Sequence, residues 1–225
     1  TGVVTIGALL GMAAHLEGKG CTVLDMTGMA QKNGAVVSHV RIAPTPDAIH
    51  ATRIAAGDAR LVIACDIVTS VGYDQLAKMR HGTTRALVNS ARVMPATFTN
   101  QPDLQFPLGA MEREIVDAVG TDAAEFVDAA RLMGDSIATN LFMVGYAYQR
   151  GLLPLGEAAI LRAIELNEAA VDFNKQAFAW GRLAAVDPAG VGAAAVPRPE
   201  HETHRLSESV DETISRRVAF LTDYQ

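Results

Sequence analysis

The stretch Thr1-Gly2-Val3-Val4-Thr5-Ile6-Gly7 reads as the second half of a glycine-rich turn entering a helix. In α/β folds such a turn follows a strand, and the free N–H groups of the helix start face an anion. That strand and the earlier glycines of the turn would stand ahead of Thr1, so the sequence is expected to be a piece of a longer one. Val4, Ile6, Leu9, Leu10, Met12, Ala13 and Leu16 keep helical spacing, and the helix is expected to end at Gly18 or Gly20.

Outward from this start, strand and helix signals alternate. Residues 22–26 read as a short buried strand, followed by a loop over 27–34. Residues 35–42 give the clearest strand, with Val36, Ser38, Val40 and Ile42 alternating against Val37, His39 and Arg41. His39 and Arg41 are expected at the surface. Pro44 and Pro46 stop the strand. A continuous apolar strand over 60–66 ends at Asp66, a helix over 73–80 leads to a strand over 84–93, and prolines mark 95–107 as loop. Residues 110–119 form an amphipathic helix, while 122–132 fit either strand or helix. Helices then cover 137–150, 155–166 and 168–185, with Asn167 as the cap of the last. The alternation predicts an α/β, Rossmann-like fold: a mainly parallel sheet with flanking helices, plus a helical C-terminal portion.

Three regions are expected. Residues 1–186 make the Rossmann-like domain. Residues 187–205, rich in Ala, Gly and Pro, read as a linker. In 206–225, Leu206, Val210, Ile214, Val218 and Leu221 form one apolar stripe that needs a partner surface, either this core or a following domain.

Composition narrows the function classes. A net charge of −6 carries no basic footprint, so no nucleic-acid partner is expected. The chain has only two cysteines, Cys21 and Cys65, both in apolar runs; an iron–sulfur cluster takes four thiolates, so none is expected here. No apolar run approaches the roughly 18 residues of a membrane helix. The first 16 residues lack a basic leader. A cytoplasmic protein is expected. His201 and His204 share a helical face beside Glu200 and Glu202, but without further ligands they do not make a metal site. There is no Gly-x-Ser-x-Gly elbow, no complete phosphate-binding Walker loop and no Cys/His nucleophile pair. No catalytic residue is assigned.

Several positions are candidates for binding, each with a plain alternative. Thr1 and Gly2 can present backbone N–H groups to a phosphate, or simply cap the helix. The loop from Gly28 to Gly34 places Gln31, Lys32 and Asn33 between two glycines on a rigid scaffold, and reads as a contact loop or a solvated one. Asp66 closes a buried strand where open α/β sheets place a ligand crevice, or caps the next segment. Asn89 and Asn100 follow the next strand and can line the same crevice.

The runs Gly2-Val3-Val4-Thr5-Ile6-Gly7-Ala8-Leu9-Leu10, Asp25-Met26-Thr27-Gly28-Met29-Ala30-Gln31-Lys32-Asn33-Gly34 and Ser38-His39-Val40-Arg41-Ile42 resemble the gamma-type domain of 2-oxoacid:ferredoxin oxidoreductases, closest to the fused, indolepyruvate type. Asn140-Leu141-Phe142-Met143-Val144-Gly145-Tyr146 and Asn174-Lys175-Gln176-Ala177-Phe178-Ala179-Trp180-Gly181-Arg182 are similar to the same family. The resemblance implies an assembly that decarboxylates a 2-oxoacid on thiamine diphosphate, passes electrons through iron–sulfur clusters to ferredoxin and hands the acyl group to coenzyme A. It places those cofactors in other domains or subunits, with this domain serving assembly and contact with coenzyme A. Two departures stand out: the family's turn has further glycines ahead of Gly2, and Gln31-Lys32-Asn33-Gly34 replaces an Arg-Gly-Gly-like loop. Two rival readings remain open. A free-standing dinucleotide-dependent oxidoreductase would use Asp25 on the ribose hydroxyls, and a ligand-free interaction module would turn the 31–33 loop to a protein partner.

Overall fold

Helix α1 (Val3–Leu16) starts from Gly2, whose φ of 87° is left-handed, and buries Ile6, Leu9, Leu10, Ala13 and Ala14. The computed structural model describes residues 2–28, 35–92, 106–129, 132, 139–194 and 209–223. After α1 come β1 (Gly20–Thr27) and β2 (Val36–Ala43), paired antiparallel from Gly20↔Ala43 to Thr27↔Val36. Residues 28–35 are too few for the crossover that parallel neighbours need, so this pair is a hairpin. A second sheet holds β3 (Leu61–Ala64), β4 (Arg85–Asn89) and β5 (Ala124–Val127), all parallel and in that order. The fold is therefore α/β as expected, with a parallel three-stranded sheet, but its described strands form two sheets rather than one.

The short helices α2 (Ile67–Ser70) and α3 (Tyr73–Leu76) carry the chain from β3 to β4. Helix α4 (Leu108–Val119) precedes β5 and lays Ile115 and Val119 against Ala86 and Val88 of β4. Leu87 points the other way, into a cluster with Phe142, Met143 and Ala147, as the two-residue period of a strand requires. Residues 122–132, ambiguous in sequence, contribute a strand because pairing beside β4 lets Ala124 and Phe126 share the apolar face that α4 covers.

Helix α5 (Thr139–Gln149) covers that second face, α7 (Val171–Val186) packs on α5 and reaches the same cluster through Ala184, and α6 (Glu157–Leu166) packs against α1. Helices α5 and α7 touch backbone to backbone. A Cβ at Gly145 would run into the carbonyl of Phe178, and one at Gly181 into the carbonyl of Phe142. Phe142 and Phe178 are fully buried on either side of this crossing, each contributing about 1.5–3 kcal/mol. Glu125 of β5 then locks the sheet to α5. Its carboxylate accepts from the Tyr146 hydroxyl at 3.0 Å and pairs with Arg150 at 2.9 Å and Arg85 at 3.4 Å.

Three expectations need correction. Asn167 ends α6 rather than capping α7; the cap position is Ala170, held at φ 45° because the chain must reverse sharply to bring α7 onto α5. His39 is buried at 4% exposure, since its strand face turns under the following loop rather than into solvent. Within the stretch expected to be linker, Pro188–Ala194 form helix α8: Pro188 suits a first helical position, the Asp187 carboxylate accepts from the Gly190 N–H at 2.8 Å, and Val191 is buried beside Ala184. Helix α9 (Val210–Asp223) leaves Val210, Ile214 and Val218 exposed.

Candidate functional site

Between the two sheets lies a groove of about 550 Å³. Val3, Ile6 and Leu10 of α1, Val40 of β2 and Ile63 of β3 line it. Among the described strands, β2 pairs only with β1 and β3 only with β4, so each keeps one unpaired edge. Unpaired strand edges invite pairing with another segment.

Cys65, just past β3, lines this groove. Burial, with the Asp66 carboxylate adding to it, pushes its thiol up to about 12. It stays protonated at neutral pH and is not an activated nucleophile. Burial also pushes the Cys21 thiol up.

The sequence-derived candidates fall in different places. Gly2 is the left-handed start of α1, pressed so closely on the Asn140 side chain that no Cβ fits. Its carbonyl accepts the Ile6 N–H at 3.0 Å. Gly28 closes the hairpin, donating its N–H to the Ala35 carbonyl at 3.0 Å. Asp66 serves as a cap: it accepts from the Val68 N–H at 3.0 Å and the Thr69 hydroxyl at 2.8 Å. Asn89 ties the carboxyl ends of all three parallel strands together. Its Nδ2 donates to the Cys65 carbonyl at 3.0 Å, and its Oδ1 accepts from the N–H groups of Ala91 and Ala129 at 3.2 and 3.1 Å. Thr1, Gln31, Lys32, Asn33, Gly34 and Asn100 lie outside the described residues. Asp25, the residue a dinucleotide reading needs, instead faces Ser38 across the hairpin and accepts its hydroxyl hydrogen.

A second, smaller cavity of about 190 Å³ sits beside Thr27 and Gly28 at the loop end of the hairpin. His39, Arg53, Asp74 and Lys78 share its wall. The Ile54 N–H donates to His39 Nδ1 at 2.9 Å, which leaves the proton on Nε2. Burial holds the imidazole below its ordinary pKa, and the charges of Lys78, Arg53 and Arg41 act in the same direction. Sequence reasoning missed this set. The four side chains come from separate stretches of the sequence, and only the fold brings them together.

Among the described residues no group of three or more His, Cys, Asp or Glu forms a metal cage, and no helix is long and apolar enough to cross a membrane. The site is thus that of an α/β domain with an open intersheet groove and no assembled catalytic cluster among the described residues. The chain belongs to the pyruvate ferredoxin/flavodoxin oxidoreductase family, which matches over residues 1–184. It is a domain or subunit of a 2-oxoacid:ferredoxin oxidoreductase. It is similar to indolepyruvate oxidoreductase subunit IorB of Archaeoglobus fulgidus, at 26% identity over 80% of this chain and 88% of the relative. The subunit of the same name from Pyrococcus horikoshii is 27% identical over 82% of this chain and 90% of the relative. Among solved structures, pyruvate oxidoreductase subunit PORC of Thermotoga maritima shares the fold with a TM-score of 0.52 at 19% identity, covering 80% of this chain and 88% of that one. The 2-oxoglutarate:ferredoxin oxidoreductase of Magnetococcus marinus, with 2-oxoglutarate, coenzyme A and succinyl-CoA bound, gives 0.53 at 14% identity, over 87% of this chain and 30% of that one.

Proposed function

We propose that this chain is the companion domain of an indolepyruvate-type oxidoreductase, serving assembly and contact with coenzyme A while other domains or subunits carry the reaction. The observation that carries this reading is the groove between β2 and β3. Two unpaired strand edges over an apolar floor suit a surface completed by the rest of an assembly. The names of the IorB relatives support the indolepyruvate type.

Thiamine diphosphate would supply the carbanion sink, and iron–sulfur clusters the one-electron steps to ferredoxin. With two thiols in the whole chain, the four thiolates of a cluster are not available here, so the clusters, and thiamine diphosphate with them, are assigned to the partners. Coenzyme A contact is assigned to the start of α1 at Thr1 and Gly2 and to the loop from Gly28 to Gly34. Gly2 stands at the N-terminal end of α1, where the helix leaves backbone N–H groups for an anion. Residues 1–186 form the working domain with α8 packed onto it, the rest of 187–205 is the connection, and 206–225 open a following domain, all acting in the cytoplasm.

A thermal-shift titration with coenzyme A, and with NAD and NADP as controls, tests the ligand half of this reading. Saturation at a hundred times the dissociation constant adds about 2.7 kcal/mol of stability. A shift with coenzyme A alone supports the assignment. A shift with NAD or NADP would replace it with a dehydrogenase, and silence with all three would remove the coenzyme A contact from this chain.

A further inference from the structure

We propose that the small cavity at the loop end of the hairpin is a phosphate site, built by His39 Nε2–H, Arg53 and Lys78. The donors come from three places: β2, the loop that follows it, and the residues just past α3. His39 is the anchor. It is 4% exposed and its Nδ1 is satisfied by Ile54, so the one remaining donor, Nε2–H, has no partner among the described residues. The Nε2 atom itself is still reached by solvent, so this donor stands open to the cavity.

The charges around it fit an anion. The chain carries 25 acidic against 19 basic Lys and Arg residues, so unpaired cations run against its overall balance. Arg41 of β2 has a carboxylate in reach, Asp58 at 2.7 Å. Arg53 and Lys78 have none within ion-pair distance among the described residues, yet both face this one cavity. Among the described residues, Asp74 on the same wall is the one opposing charge that lines it. Met26 and Val37 supply apolar wall, which strengthens the field felt by a bound anion. At about 190 Å³ the cavity is below the range of whole small-molecule pockets. It suits a single tetrahedral group, either free phosphate or the phosphoryl end of a larger ligand. Neither the family assignment nor the coenzyme A reading is needed for this site.

The test is calorimetric titration of the 225-residue chain with inorganic phosphate, followed by phenyl phosphate. Wild type is expected to bind phosphate saturably below about 10 mM. Arg53→Gln and Lys78→Gln should each weaken binding about tenfold, whereas Asp74→Asn should tighten it. Lys175→Gln, a surface lysine paired with Glu165 on the helical face, should leave it unchanged. Arg53 and Asp74 are exposed, so equal urea midpoints will show that these variants stay folded. Direct engagement of His39 should appear as a shift of its Nε2 resonance on titration. Phenyl phosphate binding as well as phosphate would assign the site to a phosphomonoester of a larger ligand, and its exclusion would assign free phosphate. No saturable binding, or affinities indifferent to Arg53, Lys78 and Asp74, would overturn the proposal.

Discussion

The contact of α5 with α7 and the groove between β2 and β3 show two opposite uses of the same apolar composition. At the first, Gly145 and Gly181 remove every atom that would separate two helix backbones, and Phe142 and Phe178 fill the flanks. At the second, two strand edges face a volume of about 550 Å³ that no described residue fills. The closed half gains its stability from itself. The open half holds backbone donors and acceptors in reserve for something else.

The sharpest way to break this comparison is to spoil the closed half. Gly181→Ala or Gly145→Ala places a methyl group on a carbonyl of the facing helix. A loss of about 3 kcal/mol or more is expected from such overpacking, read as a fall in urea midpoint or as loss of cooperative unfolding. Next comes the tether at the carboxyl edge of the sheet. Asn89→Ala strands the Cys65 carbonyl and the Ala91 and Ala129 N–H groups, at an expected cost of about 2–3 kcal/mol by the same measurement. Glu125→Gln keeps the shape but removes the charge that Arg85 and Arg150 share, and about 1–2 kcal/mol should be lost.

Chemical and pH probes sharpen the contrast further. Cys65 should react with iodoacetamide at pH 8 about a thousandfold more slowly than an ordinary thiol, because its raised pKa leaves little thiolate. Fast alkylation would mean that the wall of the groove at Cys65 is open to water. The smallest effect is alkaline. Burial first, then the hydrogen bond to Glu125, push Tyr146 up to about 12. Its folded pKa thus lies above the ordinary value near 10, so its contribution is complete below pH 10 and is lost as pH rises through 12. Wild-type stability should fall across that window, and Tyr146→Phe should fall less.

Much of the frame was legible in the sequence. The helical spacing from Val4 to Leu16 and the alternation from Val36 to Ile42 gave their elements almost to the residue, because each has one face to bury. Antiparallel pairing of β1 and β2 was not read, although the short loop between them carried it. Asn167 misled because its side chain favours caps in general, while the reversal at Glu168 and Ala170 is imposed by the packing of α7 on α5. Asp187-Pro188 is a helix-start signal that the surrounding Gly and Ala concealed. Of the site, only single positions could be named. Asp66 and Asn89 sit at the carboxyl end of the sheet where a crevice is expected, but both spend their side chains on hydrogen bonds to the protein's own chain. His39, Arg53 and Lys78 meet only in the folded chain.

Hydrogen exchange of this chain, alone and bound within its oxidoreductase, tests the central claim most directly. The account predicts that amides of Val36–Ala43 and Leu61–Ala64 facing the groove exchange readily in the free chain and become protected in the assembly, while those of α5 and α7 remain protected in both. Equal protection of the groove edges in the two states, with change confined to the helical face, would contradict it.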